Sequence, residues 1–160
     1  MKISIKLLHS KAKIPMKATD GSAGFDVFVP EELRLPSGYC RIVVPLGFAI
    51  DLPKNLCAKI LPRSGHASKG MLGYRTKDCL LQSEDYFDAD VLESLIDPDY
   101  KGQVHTIIRK ADLRPMFLKA GTRIAQMTIE KLPEVEFALT EEDLRLTVRG
   151  EGGFGHTGID

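Results

Sequence analysis

The sequence has few cysteines and no excess of either charge. Only three of the 160 residues are cysteine, and without C-x-x-C spacing they argue against a disulfide framework or a structural zinc site. The 22 basic and 22 acidic residues give a formal net charge of zero, so bulk charge does not indicate binding to nucleic acid or to an anionic membrane. No apolar run approaches the roughly 20 residues of a membrane span, and the first residues lack the apolar core of a signal peptide. We therefore expect a soluble protein of the reducing cytoplasm, with neither nucleic acid nor membrane as a partner.

Several familiar catalytic motifs are also missing. The four histidines lack H-E-x-x-H or similar spacing, so a histidine metal site is not expected. No G-x-S-x-G elbow of a serine hydrolase is present. Gly150, Gly152 and Gly155 have the spacing of the dinucleotide fingerprint, but no helical pattern follows them. Any nucleotide chemistry must therefore come from another arrangement.

Short segments of β character fill most of the chain. Residues 2–7 alternate polar and apolar side chains, which is the period of a half-buried strand. Proline and glycine separate further segments, which we predict as strands at 23–29, 33–35, 40–44, 47–52, 56–61, 103–109 and 122–131. Helical periodicity is scarce, and a chain of this length fits one domain. We predict a single all-β domain over residues 1–160, built as a sandwich or a barrel.

Three stretches lack this strand pattern. Residues 70–94 are rich in acidic side chains, and we expect an enlarged loop with a short helical turn; loops of this length are usually functional or mobile. Residues 140–143 could cap a single turn of helix. Residues 147–160 are glycine-rich and are expected to form a flexible tail.

The stretch Ile96–Gly102 places two carboxylates and an aromatic ring in one tight turn. Pro98 fixes its own φ and Gly102 permits a left-handed backbone, so a turn is predicted after the apolar lead-in. In an extended backbone Asp97 and Asp99 would share one side, and Tyr100 would point to the other side until the turn redirects it. An ordinary surface turn has the same composition, and the stretch alone leaves both interpretations open.

Three further stretches carry groups that suit a phosphate. Pro62–Gly65 ends an apolar strand with an arginine and a hydroxyl next to a glycine. Gly121–Gln126 combines a turn, the start of a strand and a glutamine amide. Arg149–Gly158 offers backbone N–H groups for an anion, an arginine for a phosphate and Phe154 for stacking on a flat ring. Each stretch alone fits equally well a surface turn, a sheet edge or a disordered tail.

Taken in order, five stretches resemble the motifs of the trimeric deoxyuridine triphosphatase (dUTPase) family. They are AGFD (23–26), PRSG (62–65), LIDPDYKG (95–102), GTRIAQ (121–126) and RGEGGFGHTG (149–158). The resemblance implies an all-β, jelly-roll or β-clip subunit with an extended C-terminal tail. It also implies a homotrimer with active sites at its interfaces. AGFD, PRSG and GTRIAQ would come from one subunit, LIDPDYKG from a second and the tail from a third.

The same resemblance implies a role for individual residues in hydrolysing dUTP to dUMP and pyrophosphate. Asp97 would be the general base that activates water, with Asp26 and Gln126 as the other catalytic residues. Tyr100 would lie against the deoxyribose and exclude a 2′-hydroxyl, while Phe154 would stack on uracil. The other substrate-binding residues would be Arg63, Ser64, Gly65, Leu95, Ile96, His105, Arg149, Gly155, His156 and Thr157.

The implied cofactor is Mg²⁺, which in this family is held chiefly by the triphosphate and water, with no direct protein ligand. A triphosphate carries about four negative charges, so catalysis must neutralise its oxygens and align a water with the leaving pyrophosphate. Arg63 and Arg149 would assist Mg²⁺ in the first task, and Asp97 would perform the second.

The chain departs from the family pattern in three places. The segment before LIDPDYKG is longer than usual, and Val91 stands where the family often has an asparagine that helps to read the base; Asp88 or Asp90 could serve instead. Ser94 precedes LID where glycine is usual. His156 stands where serine is usual, although it can still donate to a phosphate.

These departures leave two alternative functions open. One is a nucleotide-gated regulatory protein that uses the 70–94 loop to contact a partner protein. The other is an enzyme of the same fold that acts on another deoxynucleotide, such as dCTP.

Overall fold

The computed structural model describes residues 1–77 and 84–152. Within these ranges there are thirteen strands and one short helix, which confirms the prediction of an all-β chain with little helix. The strands are β1 (Ser4–Leu7), β2 (Phe25–Phe28), β3 (Leu33–Leu35), β4 (Cys40–Pro45), β5 (Phe48–Asp51), β6 (Leu56–Leu61), β7 (Met71–Gly73), β8 (Asp85–Phe87), β9 (Ala89–Leu92), β10 (Ser94–Ile96), β11 (His105–Lys110), β12 (Met116–Leu118) and β13 (Arg123–Lys131). Helix α1 is Ser64–Lys69. None of the described helical segments is both long and apolar enough to cross a membrane.

The largest sheet has the strand order β10-β6-β13-β2, and all its pairings are antiparallel. Strand β13 runs between β2 and β6, so that Gln126 is the Cα partner of Asp26 on one side and of Leu61 on the other. Because Pro62 and Arg63 follow directly after β6, they lie at the same edge. This register gathers the AGFD, PRSG and GTRIAQ stretches.

The remaining strands form a three-stranded sheet, β4-β11-β9, and the pairs β1-β5, β3-β12 and β7-β8. Apolar side chains from all these sheets meet in one core, where Phe48, Ile60, Ile108 and Ile124 are fully buried. Removal of this apolar surface from water is the main stabilising contribution to the fold.

The prediction of an enlarged loop over residues 70–94 was wrong for the part that the structure describes. Strands β7 and β8 pair through Met71 and Phe87, and β9 and the start of β10 follow. Phe87, Ala89 and Val91 alternate into the core, but the acidic residues between them hid this period in the sequence. Gly70 fits this packing because its φ is 85° and a Cβ would lie 2.2 Å from the Phe87 carbonyl oxygen.

The predicted helical turn at 140–143 was also wrong. These described residues form no helix, and the Thr140 hydroxyl instead accepts a hydrogen bond from the Glu142 amide. The helix of the described chain begins at Ser64, where the sequence indicated only a turn. Strand β12 was not among the predicted strands.

Lys110 is fully buried at the end of β11. Its ammonium group donates to the carbonyl oxygen of Pro36 at 2.9 Å and of Gly38 at 3.3 Å, and also to that of Asp112. A buried charge is tolerated only when it is hydrogen-bonded, and three carbonyl groups meet this need. Lys110 therefore ties the β3–β4 connection to the end of β11.

We expect Lys110→Met to lower the free energy of unfolding by about 2–4 kcal/mol, because the carbonyl groups of Pro36, Gly38 and Asp112 would lose their charged donor. Urea denaturation of both proteins at one protein concentration measures the difference. Lys131→Met, at an exposed position, should change the value by less than about 0.5 kcal/mol. Equal losses of unfolding free energy in the two variants would show that the hydrogen bonds of Lys110 contribute little to stability.

Residues 132–152 leave the body of the domain after β13 as an extended arm. Most of its apolar side chains are largely exposed, and Phe137 and Leu139 are 97% and 98% exposed. Several exposed apolar residues in sequence mark a surface that contacts another molecule. Phe137 and Leu139 therefore have no packing surface among the described residues.

Candidate active site

A buried carboxylate joins two arginines where AGFD, PRSG and GTRIAQ meet. Asp26, on β2, is 8% exposed. One of its oxygens lies 3.1 Å from Arg63 Nε, and the other accepts a hydrogen bond from Arg123 Nη1 at 3.1 Å. Two guanidinium groups compensate for burial of the carboxylate and hold both arginine side chains in place. Arg123 had no role in the sequence-based prediction, although it lies within GTRIAQ.

Gln126 completes this group of residues. Its Nε2 donates to the Pro62 carbonyl oxygen at 2.9 Å. A Cβ on Gly24 would lie 2.8 Å from Gln126 Oε1, so AGFD needs a glycine for this close approach. These contacts place the predicted phosphate-binding stretches side by side in one chain.

Ser64 and Gly65 form the first turn of α1, directly after Arg63. Amides in a first turn have no intrahelical carbonyl to bond. A Cβ on Gly65 would have no neighbour within 4 Å, so the backbone there is open to a ligand. Together with Arg63, this edge offers several N–H donors to an anion. We call Asp26, Arg63, Ser64, Arg123 and Gln126 the phosphate-side group.

The LIDPDYKG stretch forms the tight turn expected from its sequence. The Tyr100 amide donates to the Asp97 carbonyl at 3.2 Å, and the Tyr100 hydroxyl donates to the Gln103 carbonyl at 2.8 Å. Lys101 Nζ donates to the Pro98 carbonyl at 2.8 Å and pairs with Asp51 at 2.5 Å. These bonds hold the turn and the ring in one arrangement.

A cavity of about 260 Å³ lies beside this turn and has room for one small ligand. Five predicted site residues line it: Leu95, Ile96, Asp97, Tyr100 and His105. The other lining residues are Val43, Ser94, Gln103, Val104 and Ile107. The lining is thus mainly apolar, with the exposed Asp97 carboxylate among its few charged groups. We call this space the hairpin cavity.

Asp97 and Arg63 of one chain lie at opposite ends of β6. The antiparallel register pairs Ser94 with Ile60 and Ile96 with Ala58, so the chain moves away from Arg63 as it approaches Asp97. Six residues of strand at about 3.3 Å each separate the two ends by about 20 Å. Asp97 and Arg63 of one chain therefore lie too far apart to contact the same phosphate group.

Other predicted residues lie elsewhere. Arg149 is in the arm, where its Nε donates to the Gly152 carbonyl at 2.8 Å. Val91 is 2% exposed in the core, so its side chain cannot read a base. The neighbouring Asp90 accepts a hydrogen bond from the Val91 amide at 2.7 Å. Phe154, Gly155, His156 and Thr157 lie outside the described residues, and their roles stay predictions.

His66, on α1, is a buried histidine close to Arg63. Burial, reinforced by the Arg63 charge, lowers the pKa of His66 below its usual value near 6.5. No described residue bonds to its Nδ1 atom. Sequence analysis gave His66 no role, because a lone histidine carries no signal of burial.

The lowered pKa of His66 predicts a loss of stability in mild acid. The unfolded chain takes up a proton near pH 6.5 while the folded chain resists it, so the free energy of unfolding falls as pH drops below about 6.5. We expect His66→Leu to reduce the fall in urea midpoint between pH 7.5 and 5.5. His9→Gln, at a surface position, should not reduce it. An unchanged pH dependence in His66→Leu would contradict the assignment.

Comparison with known proteins identifies the family to which the chain is similar. The dUTPase family model matches residues 10–78 and 87–158. The deoxyuridine 5'-triphosphate nucleotidohydrolase of Paramecium bursaria Chlorella virus 1 is 36% identical over 157 residues, covering 97% of this chain and 96% of the viral protein. The protein of the same name from Hydrogenobaculum sp. (strain Y04AAS1) is 34% identical over 161 residues, covering 99% of each chain.

Solved structures agree with this result at the level of the fold. The dUTPase of Staphylococcus bacteriophage 80alpha, solved with dUPNHPP, aligns with a TM-score of 0.81 at 23% identity and covers 99% of each chain. A mutant dUTPase of S. aureus phage phi11, described with a structural Mg(II) ion, aligns with a TM-score of 0.73 at 17% identity, covering 89% of this chain and 99% of that one. The sequence matches over nearly the whole chain, and the fold that accompanies them, establish that the chain belongs to the dUTPase family.

Proposed function

We propose that this protein hydrolyses dUTP to dUMP and pyrophosphate. The observation that carries the proposal is the division of one site into two matching halves. The hairpin cavity has the shape and carboxylate for a nucleoside next to a reacting phosphorus, and the phosphate-side group has the donors for a triphosphate. Relatives named deoxyuridine 5'-triphosphate nucleotidohydrolase support dUTP as the substrate.

We propose further that the active enzyme is a homotrimer with shared sites. The separation of about 20 Å between Asp97 and Arg63 in one chain supports this assembly, because Asp97 of one subunit must then meet Arg63 of another. The exposed arm supplies the third piece, Arg149 with the glycine-rich stretch that follows it.

The arm has the pattern of a strand that docks on another subunit. Val135, Phe137 and Leu139 alternate with Glu134 and Glu136. Residues 1–17 carry five lysines and no acidic residue, whereas residues 133–143 carry five acidic residues and no lysine or arginine. An apolar groove between β1 and the end of β13 is lined by Ile3, Ile5, Ile14, Phe25, Met127 and Ile129, among others. Complementary charge and matching apolar faces support docking of the arm of one copy at this groove of another.

On the nucleoside side, the fixed Tyr100 ring would lie against the deoxyribose. Its hydroxyl is already bonded to Gln103, so the ring cannot turn away to admit a 2′-hydroxyl. Leu95, Ile96 and His105 would surround the base and the sugar. The cavity would thereby select a deoxynucleotide.

On the phosphate side, Arg63 would bind phosphate oxygens, and the amides of Ser64 and Gly65 would add donors. Asp26 acts through Arg63 and Arg123 by keeping both guanidinium groups fixed. Gln126 fixes the backbone of Pro62 just before them. This arrangement is preorganised, so little reorganisation opposes binding of the triphosphate.

Asp97 would be the general base for attack at the α-phosphorus. The water oxygen forms a bond to phosphorus as its proton passes to the Asp97 carboxylate, and the bond from phosphorus to the oxygen shared with the β-phosphate breaks. The electron pair of that bond leaves with pyrophosphate. Arg63, and Arg149 from the arm, stabilise the charge that develops on the departing group.

The residues present fit a magnesium ion that arrives on the triphosphate. Magnesium sites usually combine one or two carboxylates with substrate phosphates and water. The triphosphate oxygens and water would hold the ion itself, and the exposed Asp97 carboxylate would accept a hydrogen bond from one of its waters. When bound, Mg²⁺ would neutralise phosphate oxygens and polarise the scissile bond.

The direct test is pyrophosphate release from dUTP, dCTP, dTTP and UTP, each with and without Mg²⁺. We expect turnover of dUTP with Mg²⁺, rejection of UTP because of the 2′-hydroxyl, and much slower reaction with the other two. Faster pyrophosphate release from dCTP, or release of ammonia from dCTP in a parallel assay, would instead favour the alternative of a same-fold enzyme acting on cytosine nucleotides.

We also propose that residues 70–94 provide a contact for a partner protein. The family model leaves residues 79–86, within this segment, unmatched. At the base of the segment, Asp85 pairs with Arg75 at 2.5 Å and with Arg114 at 2.6 Å. Replacement of residues 78–83 by a short glycine-serine linker should leave dUTP turnover intact, and loss of turnover would instead assign the segment to the active site.

A further inference from the structure

Gly102 lies directly against the ring of Tyr100. A Cβ atom at Gly102 would be 2.5 Å from the Tyr100 hydroxyl oxygen and 2.7 Å from the ring carbon that carries it. The third nearest heavy atom, at 3.0 Å, also belongs to this ring. Ordinary van der Waals contacts of a Cβ atom begin at 3.4 Å, so the ring occupies space that any side chain at position 102 would need.

The backbone conformation does not explain this glycine. A left-handed turn would require a glycine here, but Gly102 is not among the glycines with positive φ in the described chain. Gly102 is also exposed, so packing of the core does not exclude a side chain at this position. The close approach of the Tyr100 ring is therefore the feature of the structure that requires a glycine.

The Tyr100 ring passes Gly102 to reach the next residue of the chain. Its hydroxyl donates to the Gln103 carbonyl at 2.8 Å, and the Tyr100 amide donates to the Asp97 carbonyl at 3.2 Å. Both the backbone and the end of the side chain are thus held. Tyr100 is nevertheless 44% exposed and lines the hairpin cavity, so the ring that rests on Gly102 remains accessible to a ligand there.

We propose that Gly102 is a positioning residue for selection of the sugar, and that it acts through the Tyr100 ring. This inference rests on the proposed function, in which the ring lies against the deoxyribose and excludes a 2′-hydroxyl. A methyl group at position 102 would displace the Tyr100 hydroxyl by about 1 Å and weaken its bond to the Gln103 carbonyl. The displaced ring would leave space for the additional hydroxyl of a ribonucleotide.

Gly102→Ala should alter the selectivity of the enzyme more than its stability. The atoms nearest to the new methyl group are at the end of one partly exposed side chain, which can move without disturbing the core. We expect the ratio of kcat/KM for dUTP to kcat/KM for UTP to fall about tenfold or more, because a misplacement of about 1 Å changes rates on this scale. The melting temperature should stay within about 3 °C of wild type.

A double-mutant cycle tests whether Gly102 acts through the ring. Full-length wild type, Gly102→Ala, Tyr100→Ala and the double variant are compared in pyrophosphate release from dUTP and from UTP, with Mg²⁺ present. We expect Tyr100→Ala to lose at least as much selectivity as Gly102→Ala. In the Tyr100→Ala background, Gly102→Ala should change selectivity by less than about twofold, because the ring is absent. Gly21→Ala is the matched control and should keep wild-type selectivity, since a Cβ at Gly21 would have no neighbour within 4 Å.

The outcomes separate this inference from the proposed function. If wild type does not hydrolyse dUTP, the proposed function itself is wrong. If wild type hydrolyses dUTP without preferring it to UTP, or if Gly102→Ala keeps the preference, the role of Gly102 is overturned while hydrolysis of dUTP stands. An equal loss of selectivity from Gly102→Ala with and without the Tyr100 ring would also overturn it. A Gly102→Ala protein that fails to fold would overturn it as well, because its methyl group would then disturb more than the ring.

Discussion

Replacement of Asp97 by asparagine is expected to lower kcat for dUTP by about a hundredfold to ten-thousandfold, the usual contribution of a general base. Asparagine has nearly the same shape and can still hold a water through its amide oxygen. It cannot accept the proton that the attacking water must release. Loss of the base should therefore appear in kcat, while KM changes far less, because the nucleotide still binds in the hairpin cavity.

Asp99→Asn is the matched control for this experiment. Asp99 lies two residues further along the same turn and is equally exposed, but it is not among the residues that line the hairpin cavity. We expect its kcat to stay within a few-fold of wild type. Similar losses of kcat in the two variants would indicate that turnover depends on the total negative charge of the turn and not on the Asp97 carboxylate in particular. Wild-type kcat in Asp97→Asn would remove Asp97 from the reaction.

The strands were the most predictable part of this protein. The segments at 33–35 and 56–61 match β3 and β6 residue for residue, because a proline directly follows each of them. Residues 70–94 were not predictable in the same way. The apolar residues at 87, 89 and 91 have the period of a strand, but Asp88 and Asp90 between them gave the stretch the composition of a loop.

The candidate site was predictable as motifs but not as an arrangement. The resemblance indicated Asp26 and Arg63 as site residues, and the structure shows that a salt bridge of 3.1 Å connects their side chains. The role of Arg123 had no local signal, since it contacts Asp26 across 97 residues of sequence. The separation of Asp97 from Arg63 follows from the register of β10 on β6, which a single sequence does not contain.

The second large effect concerns sharing of the site between subunits. Arg63→Ala should impair turnover because it removes a charged donor for the phosphates, yet Arg123 would still pair with Asp26 and protect the fold. Asp97→Asn impairs turnover because it removes the general base from the other half of the proposed site. If each site takes Asp97 from one subunit and Arg63 from another, mixed trimers of these two variants contain complete sites. In a trimer that holds both variants, about one site in three is then complete.

Co-expression of the two variants with different affinity tags, followed by purification on both tags, provides this test. The shared-site account predicts that the doubly purified protein regains about a third of wild-type kcat, far above either variant alone. Singly tagged preparations of each variant serve as controls and should stay at their low levels. Doubly purified protein that is no more active than the two variants would contradict the account, because Asp97 and Arg63 would then have to act within one chain.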